Sequence, residues 1–134
     1  MAVKKEIIRT DRAPLPAGAY SQAVKYGDLV YVSGTCPFSL EDGSILHPGD
    51  VAAQTRLVME YIGHILRAAG TSLEHVLKVT AFLDDLNRFA DYNRVYAEFF
   101  PVDPPARSTV EIGKFRPGMC VEIECIAYVP GDSR

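Results

Sequence analysis

No apolar run in this chain approaches the about 20 residues that a membrane-spanning helix needs, and the opening stretch "MAVKKEIIRT" lacks the apolar core of a secretory signal. A cytoplasmic protein with no membrane partner is the expectation. Cysteine is scarce: Cys36, Cys120 and Cys125 form no CxxC pair, and an odd number fits a disulfide framework poorly, so reduced thiols are expected. His47, His64 and His75 stand at no ligand spacing from cysteines or acidic residues, which argues against a metal site. Positive charge is also thin, with 14 Lys and Arg against 17 Asp and Glu, a net charge of -3 and no basic cluster. Nucleic acid is disfavoured as the main partner, because neutralising phosphates needs concentrated cations. Internal repeats, linkers and low-complexity segments are absent too, so residues 1–134 are read as one domain.

What is present suffices for a packed fold: 48% of residues are hydrophobic and 23% charged. Residues 2–10 read as a short strand or ordered tail, and "APLPAGAYSQ" as an irregular segment. "QAVKYGDLVYVSG" gives two strand runs around a Gly27-Asp28 turn, followed by the loop "CPFSLEDGSILHPGD". Asp50 is placed to cap a helix whose apolar stripe is Val51, Thr55, Val58, Ile62, Ile65 and Ala69, with Gly70 as its stop. Gln54, Arg56, Glu60 and Arg67 fall mostly off that stripe and read as a solvated face. "TSLE" at 71–74 fits a capping box leading into a buried strand, Val76 to Leu83. Leu86, Phe89, Tyr92, Tyr96 and Phe99 then step as a second amphipathic helix, an aromatic stripe that reads as core, ended by Pro101.

Two alternating runs close the chain, "ARSTVEIGKF" and "CVEIECIAYV", separated by a Pro117-Gly118 turn and read as a strand pair. The order of elements predicts a mixed α+β domain, one sheet with two helices over one face. By parity, Arg107, Thr109 and Glu111 share one face of their strand, and Cys120, Glu122, Glu124, Ile126 and Tyr128 share one face of theirs. If the helices cover Val121, Ile123 and Cys125, the expected second face carries Arg107 together with Glu111, Glu122 and Glu124. That face is either an ordinary solvated surface or one closed by a second subunit. Arg107 follows the rigid Pro104-Pro105 bend, and its planar fork suits a bidentate grip on a carboxylate, with a nearby glutamate able to neutralise it, orient a water or move a proton.

From "GAYSQAV" through "YVSGTCP", "DVAAQTR" and "VLKVTAFLDDLNRFADYNRVYAEFF" to "PPARSTVEI" and "VEIECIAYV", the sequence resembles the reactive intermediate deaminases, the YjgF/YER057c/UK114 family. The resemblance implies a chorismate-mutase-like α+β fold, a homotrimer with small-molecule clefts between subunits, and hydrolysis of 2-enamino or 2-imino acids such as 2-aminoacrylate to 2-oxo acids and ammonia. It implies no metal or organic cofactor. Carried onto matching positions, Arg107 is similar to the arginine that binds the substrate carboxylate, and Glu122 to the acid that positions water or protonates nitrogen. Tyr20, Ser33 and Gly34 resemble cleft-lining residues, Thr109 a backbone contact, and Asn93 and Phe89 pocket supports.

Where the family has Gly-Pro-Tyr and Ser-Gly-Gln-Ile-Pro, this chain has Gly18-Ala19-Tyr20 and Ser33-Gly34-Thr35-Cys36-Pro37. Cys36 either marks a specialised branch, such as one resembling the 2-aminomuconate deaminases, or is a small buried hydrophobe. A protein of this family that binds small acids or protects against stress without turnover is the alternative of a different class. Ribonuclease and translation-inhibition roles, also attached to the family, fit the net charge of -3 least.

Overall fold

The structure is a computed structural model describing residues 3–131. Its elements are β1 (Lys5–Ile8), β2 (Ala23–Tyr26), β3 (Leu29–Thr35), α1 (Val51–Ala68), β4 (Val76–Leu83), α2 (Phe89–Phe99), β5 (Ala106–Glu111) and β6 (Val121–Tyr128). The strands form one sheet in the order β1-β2-β3-β6-β4-β5, and both helices lie over the same face. The expected mixed α+β architecture is therefore present. Among the described residues no helix is long and apolar enough to cross a membrane.

Helix α1 starts and stops by the signals in its sequence. The Asp50 carboxylate accepts from the Ala53 N–H at 3.0 Å, supplying one of the partners the first turn lacks. At the other end Gly70 adopts φ +89°, which a side chain would resist, so that Thr71 N–H reaches Leu66 O and Gly70 N–H reaches Arg67 O. The stripe between these caps buries Val58, Ile62, Ile65 and Leu66 against Val30, Val32, Val79 and Ile123 of the sheet.

Three expectations need correction. Gln54 is not solvated but fully buried: its amide donates to Leu46 O, His47 O and Gly118 O, and its side-chain oxygen accepts from Cys120 N–H at 2.7 Å. An amide at the edge of an apolar stripe is tolerated when loops offer it a full set of partners. The capping box at 71–74 does not form. Ser72 makes no side-chain cap and the Thr71 hydroxyl instead donates to Tyr128 O at 2.6 Å, leaving a single 3-10 turn at 73–75. Finally, β5 and β6 are not a hairpin. Strand β4 lies between them, antiparallel to β6 and parallel to β5, and β5 ends at Glu111 rather than continuing toward Phe115.

Gln54→Ala would orphan the Cys120 N–H and Leu46 O, each worth about 1–3 kcal/mol when buried without a partner, while His47 O and Gly118 O keep the Asp50 and Gly49 N–H groups as donors. A loss of about 2–3 kcal/mol in urea unfolding is expected, while Arg56→Ala, which removes only an exposed ion pair with Glu98, should leave the midpoint nearly unmoved.

Candidate functional site

Pairing β5 to β4 instead of β6 changes which side its residues occupy. The register sets Val79 opposite Arg107, Ala81 opposite Thr109 and Leu83 opposite Glu111, and Val79, Ala81 and Leu83 are core residues under the helices. Arg107, Thr109 and Glu111 therefore face the helix layer. Glu122 pairs with Phe82 and Glu124 with Thr80, on the opposite face. The expectation that Arg107 shares a sheet face with Glu122 and Glu124 is thus overturned within one chain, because β4 lies between β5 and β6 and sets the face of each.

On the helix side, α2 makes a cradle for Arg107. Phe89, Tyr92, Asn93 and Tyr96 recur at steps of three, one and three, so one helix face presents them all to the edge strand β5. The guanidinium donates to the Asn93 side-chain oxygen at 2.8 Å. Its carbon lies 4.6 Å from the ring centre of Tyr96 and 5.5 Å from those of Tyr92 and Phe89. Tyr92 also shares a hydrogen bond of 3.0 Å with the Thr109 hydroxyl. The stripe read as plain core thus divides: Tyr92 and Tyr96 are buried, yet their faces hold a cation, and the Tyr96 hydroxyl finds no partner. Burial pushes the Tyr96 phenol well above its usual range, with Arg107 pulling the other way, so it stays protonated. Among the described residues Arg107 joins no ion pair, which leaves part of its fork free for an anion.

The other predicted residues gather elsewhere. The β3–β6 register slips between Val32 and Thr35, so Ser33 and Gly34 sit on a bulge that re-aims the strand. Tyr20, Ser33, Gly34 and Cys36 line a cavity of about 20 Å³, room for one water. The Ser33 hydroxyl is committed to Ser21 O at 2.6 Å, and Tyr20 is half exposed, its hydroxyl accepting from Ala17 N–H at 3.2 Å. Gly34 lies directly beneath the Glu122 carboxylate: a Cβ at this position would overlap its oxygen and come within 3.0 Å of its Cδ. Only glycine leaves Glu122 that position. The structure thus assembles two groups: Arg107 with Phe89, Asn93 and, through Tyr92, Thr109; and Tyr20, Ser33 and Gly34 around the small cavity, with Glu122 against Gly34. A cavity of about 650 Å³ over the outer side of α1 includes none of these residues.

Cys36 borders the second cluster. Burial raises its thiol far above the usual range, the charge of Glu122 and a hydrogen bond to that carboxylate add to the rise, and Arg116 opposes it. Sequence reasoning had no signal for Tyr92, Tyr96 or Arg116 as parts of either cluster beyond the three-and-four spacing on α2.

Such a fold, a six-stranded mixed sheet with a guanidinium cradled by one of two covering helices, matches one family of small α+β proteins. The family model described as endoribonuclease L-PSP matches residues 10–129, and the chain belongs to that family, in which the reactive intermediate deaminases fall. It is 44% identical to 3-aminoacrylate deaminase RutC of Acinetobacter baylyi, over 93% of this chain and 98% of that one. It is 40% identical to the chloroplastic Reactive Intermediate Deaminase A of Arabidopsis thaliana, over 94% of this chain and 67% of that one. Among solved structures, RidA from an Antarctic Psychrobacter superposes with a TM-score of 0.86 at 40% identity, covering 92% of this chain and 99% of that one.

A raised pKa means that the thiolate appears only at higher pH in the folded chain than in the unfolded one. Cys36, although partly exposed, should therefore label with iodoacetamide far more slowly in the native protein than in denaturant between pH 7 and 9, read by mass spectrometry. Rapid native labelling at pH 8 would show that burial and Glu122 do not govern the thiol.

Proposed function

We propose that the protein hydrolyses reactive 2-enamino and 2-imino acids to 2-oxo acids and ammonia, in clefts between the subunits of a homotrimer. The observation that carries this reading is the uncommitted Arg107 fork, held in place by Asn93 and three aromatic rings with no carboxylate of its own. The relatives named as 3-aminoacrylate deaminase and Reactive Intermediate Deaminase A support the reaction class.

The division of the candidate residues between two sheet faces supports a site shared by two chains. Arg107 of one subunit and Glu122 of the next would meet across a boundary, since one chain holds them on opposite sides. The sheet face away from the helices is suited to such contact. Tyr26, Tyr31, Val110 and Tyr128 lie there 37–56% exposed, with Phe82 and Ile126 between them, and so broad an apolar surface marks an interaction site.

In the proposed cycle Arg107 binds the substrate carboxylate and Thr109 contacts it through the backbone. An enamine first takes a proton on carbon and becomes the imine. Water adds to the electrophilic carbon while Glu122 carries one of its protons to nitrogen, giving an aminoalcohol. The same carboxylate then carries the hydroxyl proton to the amine as the carbon–nitrogen bond breaks, releasing ammonia and the 2-oxo acid. Little chemical assistance is needed, because the imine is already electrophilic. Orientation together with one proton transfer worth about 10²- to 10⁴-fold suffices. Tyr20, Ser33 and Gly34 would line the end of the cleft near Glu122. A ribonuclease activity, which the family name endoribonuclease L-PSP suggests, gains no support from a net charge of -3.

Arg107→Ala should lower ammonia release from enzymatically generated 2-aminoacrylate by about 10²-fold or more with the oligomer intact in light scattering. Arg107→Lys should recover little, because a point charge lacks the fork. Wild-type turnover in Arg107→Ala would remove the proposal.

A further inference from the structure

Besides Arg107, a second guanidinium is laid on an aromatic face. Arg116, in the exposed connection between β5 and β6, sits with its central carbon 4.4 Å from the ring centre of Phe38. A guanidinium held over a ring face keeps its in-plane N–H edges available as donors, the state in which arginine grips a carboxylate in two places. Among the described residues Arg116 joins no ion pair.

Its place beside the Glu122 cluster is set by shared walls. Arg116 and Phe38 bound a cavity of about 300 Å³ together with Leu15, Leu40 and Asp11, at the lower end of the size range of small-molecule pockets. Pro14 and Phe38 are common to this cavity and to the small one lined by Tyr20, Ser33, Gly34 and Cys36. The Arg116 charge is felt at Cys36, where it opposes Glu122. Asp11 is the other charged group in the wall and forms no ion pair with Arg116. Leu15 and Leu40 are about half exposed, which gives the cavity an apolar flank beside its cation.

We propose that this cavity is a second anion subsite, in which Arg116 on its Phe38 platform takes the distal carboxylate of a 2-imino dicarboxylic acid, with Leu15 and Leu40 flanking the carbons between its two ends. The assignment rests on the deaminase reading for the position of the reacting carbon, and it narrows the substrate class to acids charged at both ends. Monocarboxylic imines would fill the site only as far as Glu122 and leave the second fork in water.

Binding and turnover separate the two claims. Calorimetric titration of the intact protein with 2-oxoglutarate and with 2-oxobutyrate should show the dicarboxylate bound about tenfold tighter or more, as expected for a charge-assisted bidentate contact. In Arg116→Ala the two affinities should converge to within about twofold, and Arg116→Lys should keep only part of the preference. Equal affinities in the wild type, an undiminished preference in Arg116→Ala, or no binding of either acid would overturn the subsite. Ammonia release from the corresponding imines is measured in parallel. A dicarboxylate preference that Arg116→Ala abolishes, without turnover of any imine, leaves the subsite standing and removes the deaminase reading. Turnover without a preference does the reverse.

Discussion

A cation held against three aromatic rings is the feature on which the rest of this molecule depends. Arg107 sits on the edge strand, where a guanidinium would normally reach into water, yet Phe89, Tyr92 and Tyr96 cover it and Asn93 fixes one of its nitrogens. Holding a charge there costs desolvation, which ring faces and a single hydrogen bond offset only partly. The unpartnered Tyr96 hydroxyl nearby adds to the unsatisfied polarity. Such an arrangement is stable but incomplete, and an incoming carboxylate would complete it.

That cradle exists because of strand order. The parallel pairing of β5 with β4 puts Arg107 under α2, and α2 must follow β4 closely to supply the crossover between parallel strands. The antiparallel pairing of β6 with β4 puts Glu122 on the other side, against the bare backbone of Gly34. A chain that divides its acid and its cation between two faces of one sheet has little use for them alone. A ring of identical subunits would bring opposite faces together at every boundary, the arrangement that the proposed trimer requires.

Much of the fold was legible in the sequence because local signals and packing agree there. Asp50, Gly70 and the stripe from Val51 to Ala69 define α1, and Gly27-Asp28 joins β2 to β3. What could not be read was non-local. Nothing in "ARSTVEI" or "VEIECIAY" says that a third strand separates them, and one wrong neighbour moved Arg107 to the wrong face. Gln54 was misplaced for a similar reason, since its partners Leu46, Gly118 and Cys120 are brought to it by loops whose paths periodicity does not reveal. The family resemblance singles out Arg107, Glu122 and Gly34, but their division between two sheet faces is visible only in the strand order.

If each site draws Arg107 from one chain and Glu122 from the next, as proposed, two variants that are inactive apart should complement each other when mixed. Arg107→Ala and Glu122→Ala chains, unfolded together in equal amounts and reassembled, would form mixed trimers in which one boundary of three pairs an intact arginine with an intact glutamate. About a quarter of the wild-type ammonia release is then predicted for random assembly around a threefold ring. A mixture as inactive as its separate components would place both residues in one chain's site and rule out a site shared between subunits.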